Sequence, residues 1–403
     1  MKYTKEANLI NELISIAEII QNPFNNEQQI RSFISGEFNI SFVGFDNINK
    51  FQDSIGKLYT ANQNITETLT LKTFEREIIN LIRVLKNENK KCVEVDFTSI
   101  IEKLLKMKVQ ESEILYYFYG ATMKSSSKQF GDFTIYDLKK SFNELSSKYQ
   151  LNQIFFNNRP SDFLIGIKVK ARENPKAVEI ADKLCQSFEN VFGYVIADLT
   201  QKRRIGILNF RGWTTVHKFV CNDNLNGGYQ GENDIFIPVD IDDNHFTNIN
   251  QGNDKIWHLI TKKNKSEIER RLLNSIEWTG KAIYDKDIPK SLVQFVFAIE
   301  SMLQLNDKAF ITPSIVSQLS DWLAFIIEDD KDKRKLISKY FKDLYKKRSA
   351  ISHGAMATID IEDLHLAKRI AKLMIITFLK TSPFKEMTTM EQLNIYLTDL
   401  KFK

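Results

Sequence analysis

Apolar positions along this chain recur at three- and four-residue intervals over most of its length and alternate in one broad central region. Leu9, Ile10, Leu13, Ile16 and Ile19 predict an amphipathic helix over residues 8–20, and a second helix is expected over 73–85. FNISFVGF at 38–45 reads as a strand. Residues 92–97 (CVEVDF) alternate in the same way, so a strand is expected there, followed by a helix through SIIEKLLKM. From Ile114 the texture becomes aromatic. LYYFYGATM and FGDFTIYDL read as strands around a serine-rich turn at 125–127, and DFLIGIKVKA alternates as another strand. Pro175 starts a helix through AVEIADKLCQSFENVF, with further strands expected over 194–220. Residues 222–233 are rich in Asn and Gly and read as a loop. GGYQG within it is a turn, because a phosphate loop needs a lysine and a strand-to-helix setting that are missing here.

After Asp254 the helical period takes over. Trp257, Leu259 and Ile260 open a helical stretch that continues through Ile268, Leu272, Ile276 and Ala282 after a lysine-rich break. Pro289 starts the next helix, whose wide apolar stripe of Leu292, Phe295, Val296, Ile299, Met302 and Leu303 marks a central position, with Glu300 beside it. Further helices are expected over 315–327 and, behind an Asp360 cap, over 361–379. Thr388 and Glu391 form the expected capping box of a short last helix, LNIYLTDL. The chain therefore reads as a mainly helical α+β multidomain protein. Its expected segments are a helix-rich region over residues 1–112, an α+β region over 113–252 with a possible sensing or regulatory role, a helical bundle over 253–385 and a C-terminal helix over 386–403.

Composition alters this picture little. With 43% hydrophobic and 27% charged residues, 403 residues are ample for two or three domains with real cores. Cys92, Cys185 and Cys221 are widely spaced, with no CxxC pattern, which argues against a disulfide framework and against a zinc site. No signal peptide or membrane span is apparent, and a cytoplasmic location is expected. The net charge of +5 is modest, so a nucleic-acid reading must rest on local clusters. One cluster does change the picture: residues 331–348 carry nine Lys or Arg against two Asp, a net +7.

That helix, KDKRKLISKYFKDLYKKRSAISHG at 331–354, has two faces. Ile337, Phe341, Leu344 and Ile351 form an apolar stripe, while Lys335, Lys339, Lys342 and Lys346 repeat along another face. Arg348 lies on the apolar stripe and needs a carboxylate or an anion, since leaving it buried and unpaired would cost roughly 3 kcal/mol or more. Glu300 is the expected partner, as a second charge beside a core stripe. His353 continues the lysine face and Gly354 follows as the expected C-cap. A fixed cation and a titratable imidazole thus lie on a helix suited to phosphate.

Arg348, Ser349, Ala350, Ile351, Ser352 and His353 match the R-x4–6-H motif of HEPN domains, and YKKRSAISHG resembles the Apea-like branch of that superfamily. FAIESML at 297–303 looks like the helix that carries a glutamate in that branch, and RRLLNSIEWTGKA from Arg270 like the helix before it. The aromatic strands from Ile114 resemble the sheet-bearing region that often precedes such domains. The resemblance implies that 253–385 is a HEPN-like helical bundle. It further implies a metal-independent endoribonuclease working as paired subunits in a defence or toxin effector, with the N-terminal regions sensing a trigger, phage-derived or other, or restraining the nuclease. On this reading Arg348 and His353 are catalytic, Ser349 and Glu300 support them, and Lys335, Lys339, Lys342, Lys346 and Lys347 bind RNA. Ser349 departs from the Asn, Asp or His that follows the arginine in many active members, which keeps a non-catalytic nucleic-acid-binding or assembly module as the alternative.

Metal-free RNA cleavage needs one group to take the 2′-hydroxyl proton, one to protonate the departing 5′-oxygen, and a cation for the charge building on phosphorus. Histidine and arginine suit these tasks. Five residues along a helix separate Arg348 and His353 by about 140°, so they cannot clamp one phosphate side by side. A twofold homodimer with a cleft at the motif would supply a second histidine and bring the two groups together. Other candidates are weaker. Lys202, Arg203, Arg204 and Arg211, with Lys168, Lys170 and Arg172 and the nearby Trp213 and His217, read first as a solvated sheet face. His245 lies in a polar loop where metal ligands cannot be placed, and His258 and His365 sit in helices. No nucleophile elbow, Walker loop, HExxH or dinucleotide fingerprint is present, and no cofactor is expected.

Overall fold

The computed structural model describes residues 3–20, 32–35, 39–149, 159–199, 203–208, 215–220, 228–233, 237–304, 315–355 and 357–402. The fold is mainly helical with a smaller share of strand. Two units divide it, one formed by Met1–Ile114 and Lys168–Ala181, the other by Leu115–Ile167 and Asp182–Lys403.

In the first unit, α1 (Thr4–Ile16), α2 (Phe45–Thr60), α3 (Gln63–Thr68), α4 (Leu71–Asn87) and α5 (Glu94–Leu105) accompany a three-stranded antiparallel sheet. The sheet has the order β1-β3-β2, from β1 (Ala17–Ile19), β2 (Ser32–Ser35) and β3 (Ile40–Val43). The helical period expected over 8–20 therefore stops at Ile16, and the next residues join the sheet instead. Phe42 stacks on Phe51 with ring centroids 4.3 Å apart, and Phe74 and Phe97 are fully buried beside them. The strand expected over 92–97 is not there. The Asp96 carboxylate accepts from the Val93 amide at 2.8 Å and opens α5 at Glu94, so burial of Phe97, Ile100, Ile101 and Leu104 overrides the local alternation. Glu173 caps α4 by accepting from the Thr70 amide at 2.5 Å and from the Thr73 hydroxyl at 2.6 Å. Arg172, expected on a basic surface, instead donates to the Leu105 and Met107 carbonyls and to the Thr68 hydroxyl, a structural role.

The strands of the central region are β4 (Gln110–Phe118), β5 (Ala121–Thr122), β6 (Ser127–Phe130), β7 (Phe133–Asp137), β8 (Phe163–Ala171), β9 (Thr215–Val220), β10 (Gly228–Asn233) and β11 (Val239–Asp240). Helices α6 (Leu138–Tyr149) and α7 (Asn174–Ile196) lie among them in sequence. One sheet has the order β4-β8-β7-β6, β5 pairs with β11 in parallel, and β9 pairs with β10. The expected loop at 222–233 is thus half corrected: Gly228–Asn233 is a strand whose backbone pairs with Thr215–Val220, a partnership that its Gly and Asn content hid. Lys202, Arg211, Trp213, Cys221 and the side chain of His217 lie outside the described residues.

Phe118, Phe130, Phe188, Phe192, Phe246 and Trp257 form one aromatic cluster, with the Phe130 and Trp257 rings 4.9 Å apart and the Trp257 indole donating to the Phe246 carbonyl at 2.8 Å. The expected segment boundary at 252/253 falls inside this cluster. Helix follows helix from there: α8 (Asn253–Thr261), α9 (Glu267–Tyr284), α10 (Ile288–Leu303), α11 (Ile315–Ile327), α12 (Lys331–Ser352), α13 (Ile361–Lys380) and α14 (Met390–Lys401). Among the described residues after Asp240 there is no strand. Gly280 is where α9 meets α7, since a Cβ there would lie 1.7 Å from the Asn190 carbonyl oxygen. The last helix is capped by Thr389 and Gln392, one residue beyond the expected Thr388 and Glu391. Among the described residues, no helix is long and apolar enough to cross a membrane.

Candidate functional site

Helix α12 begins where the Asp330 carboxylate accepts from the amides of Asp332 and Lys333. Of its 22 residues only Phe341 and Leu344 are buried. Ile337 and Ile351, expected on the same stripe, are half-buried. The helix ends in a Schellman arrangement: Gly354 has φ +74°, its amide donates to the Ile351 carbonyl at 3.1 Å, and the Ala355 amide donates to the Ala350 carbonyl at 2.8 Å. This stop leaves His353 exposed at the helix end.

The approach expected between Arg348 and Glu300 is present. Glu300, on α10, is only 8% exposed and accepts from Arg348 Nη2 at 3.1 Å. The guanidinium lies 4.9 Å from the centre of the Phe297 ring and 5.4 Å from that of Tyr345. Trp278 of α9 stands edge-on to Phe297 at 5.4 Å. These rings and the carboxylate compensate a cation drawn out of water. Arg348 Nε is nevertheless buried without a hydrogen-bond partner among the described residues.

Tyr345 is the residue that sequence reasoning missed. Its hydroxyl donates to Glu300, and burial above all, then the Glu300 charge, pushes its pKa above the usual phenol value. Its other side helps line a shallow groove of about 310 Å³ together with Lys342, Lys346, Ser349 and His353. The phenol therefore belongs both to the Glu300–Arg348 pair and to the wall of the groove that His353 also lines. It stands within the YKKRSAISHG motif, three residues before Arg348, so its position was visible although its partner on α10 was not.

Arg348 faces α10 whereas His353 faces the groove, and Arg348 is not among the residues that line it. The divergence expected from helix geometry thus holds within one chain. Ser349 is half-buried on the groove wall. The lysines differ among themselves. Lys335 pairs with Asp332 at 2.9 Å, and Lys347 is held by Asp363 of α13. Lys339 is exposed, and Lys342 and Lys346 are exposed on the groove. Of the remaining histidines, His245 Nε2 lies 3.0 Å from the Val195 carbonyl oxygen, and His365 is exposed. Arg204 lies against the Tyr284 ring at 5.4 Å.

A second perturbed group lies on α13. Lys372 stands 5.1 Å from the centre of the Tyr194 ring, and burial, helped by the nearby Lys368 charge, pulls its pKa down to about 8. Comparison of the chain with family models, with curated proteins and with solved structures gives no match.

Proposed function

We propose that the C-terminal helices form a HEPN-like domain that acts as a metal-independent endoribonuclease, a defence or toxin effector governed by the N-terminal regions. The observation that carries this reading is the cluster of buried Glu300 with half-buried Arg348 and Tyr345, beside a groove furnished with His353, Lys342 and Lys346. A structural helix has no need of that set, and the resemblance of residues 348–353 to the R-x4–6-H motif supports the same reading. In the proposed step, the 2′-oxygen attacks phosphorus as an imidazole takes its proton, the bond to the 5′-oxygen breaks, and a second acid delivers a proton to that oxygen. The product is a 2′,3′-cyclic phosphate and a 5′-hydroxyl. Lys342 and Lys346 balance charge on the phosphate. A homodimer about the basic helix supplies the second imidazole and lets Arg348 of each chain support the other's groove.

The test is RNA cleavage by the purified chain. His353→Ala should lower the rate by about 100-fold or more, the share that one positioned proton-transfer group carries, with unchanged thermal unfolding. Wild-type cleavage by His353→Ala would overturn the assignment. The engagement of Arg348 by Glu300, away from the groove, favours a second reading in which the module binds nucleic acid or a partner without cutting. Retained RNA binding with no cleavage by any preparation would select it.

A further inference from the structure

The basic helix has a second groove on its other flank, toward α13, with a volume of about 570 Å³. Leu344, Ala350 and Leu366 supply apolar wall, and Tyr340, 42% exposed, stands on its edge. Asp343, Thr358 and the paired Lys347 and Asp363 add polar atoms, and the Asp343 carboxylate has no hydrogen bond or ion pair among the described residues. Lys346 and Ala350 line both grooves, so they form the ridge that separates this one from the groove of His353.

We infer that this second groove is a nucleobase subsite, so that the nucleic acid taken here is a single strand with one base turned out of its stack; the inference rests on the ribonuclease reading above. Lys347 on this wall is already engaged by Asp363, so a phosphate would meet the bare Asp343 carboxylate and be repelled, whereas the exocyclic amine of a base is a donor to it. An exposed phenol offers a face on which any base can stack. The ridge lysine is the cation between the two grooves, placed for a phosphate that joins a base on the α13 side to the sugar beside His353. A continuous duplex keeps its bases stacked inside, and its deep, narrow major groove does not release them to a wall of this kind. Single-stranded RNA is therefore the substrate class that fits both grooves at once.

The experiment uses the full chain carrying His353→Ala, so that bound RNA is not cut, and reads the anisotropy of a labelled single-stranded oligonucleotide. Tyr340→Ala should weaken binding by roughly 5- to 150-fold, the range carried by one stacked base, while Tyr340→Phe stays within about twofold of the parent. Inorganic polyphosphate and a fully paired RNA, which offer charge without a free base, should bind the Tyr340→Ala chain as they bind the parent. Unchanged single-strand affinity in Tyr340→Ala would overturn the subsite, as would an equal loss toward polyphosphate. Cleavage and Lys346-dependent binding by the unaltered protein would in those cases leave the ribonuclease reading standing. Failure of the unaltered chain to bind RNA of either kind would overturn both.

Discussion

Helices α10 and α12 hold the two ends of one ion pair and are otherwise opposites. Ten of the 16 residues of α10 are buried, whereas α12 buries two of 22 and carries nine Lys or Arg against two Asp. On α10 a charge survives burial only because Arg348 and Tyr345 answer it, so Glu300 is bound up with stability. On α12 Lys339, Lys342 and Lys346 face water, where an unpaired charge costs little, and they remain free for a ligand. Substitutions on the two helices should therefore separate stability from binding.

The largest effect should come from the anchor of α12. Phe341 is fully buried, and Phe341→Ala should cost about 4 kcal/mol in urea unfolding. An effect no larger than that of a surface residue would break the contrast, by showing that α12 is not seated through this ring.

Next in size is the ion pair. Glu300→Ala leaves the guanidinium on the apolar stripe and should cost roughly 3 kcal/mol, whereas Glu300→Leu combined with Arg348→Leu should recover most of that loss. A double variant as unstable as Glu300→Ala alone would show that Arg348 is not the group left in distress.

Lys372 sharpens the comparison, because it is a burdened cation to which no carboxylate is hydrogen-bonded among the described residues. Its folded pKa of about 8 lies below the ordinary 10.5, so between those values the unfolded chain holds more protons and stability rises with pH. Below about 8 the folded state bears a charge that it disfavours. Lys372→Met should thus stabilise the protein at pH 7 by up to roughly 3 kcal/mol, with the gain fading toward pH 10.5. Unfolding curves at pH 7 and 10.5 check this, and a pH-independent gain would point to packing instead.

Smaller still is Gly354→Ala, which forces a side chain into a left-handed conformation and should cost about 1 kcal/mol. Smallest is Lys342→Ala, within about 0.5 kcal/mol of the parent in stability yet weaker in RNA binding, most visibly at low salt. A stability loss comparable to that of Glu300→Ala would erase the distinction between the two helices.

Much of this was legible from single elements. The bounds of Ile315–Ile327 were read as they stand, because its apolar period is strong and no rival pattern competes. The stop at Gly354 was readable from glycine's freedom at positive φ. Residues 92–97 misled, because six alternating residues say little against a helix whose buried face begins only at Phe97. Helix α2 escaped notice although Phe51, Ile55 and Leu58 carry the helical spacing, since the flanking Asn, Gly and Asp residues masked it. Gly228–Asn233 was unreadable as a strand, because its evidence is backbone pairing with residues earlier in the chain.

The sequence by itself determined the features that a few neighbouring residues decide: helical periods, the cap at Asp360, the basic face, and the 140° that parts Arg348 from His353. Tertiary structure alone decided the features that depend on who lies across the gap. It joined the Tyr345 hydroxyl to a carboxylate 45 positions earlier, set Lys372 against Tyr194, tied Lys347 to Asp363 while leaving Lys342 and Lys346 open, and cut a groove on each side of one ridge. The reason is that backbone propensity is local, whereas the cost of a charge or a hydroxyl is fixed by how much water the rest of the fold leaves around it.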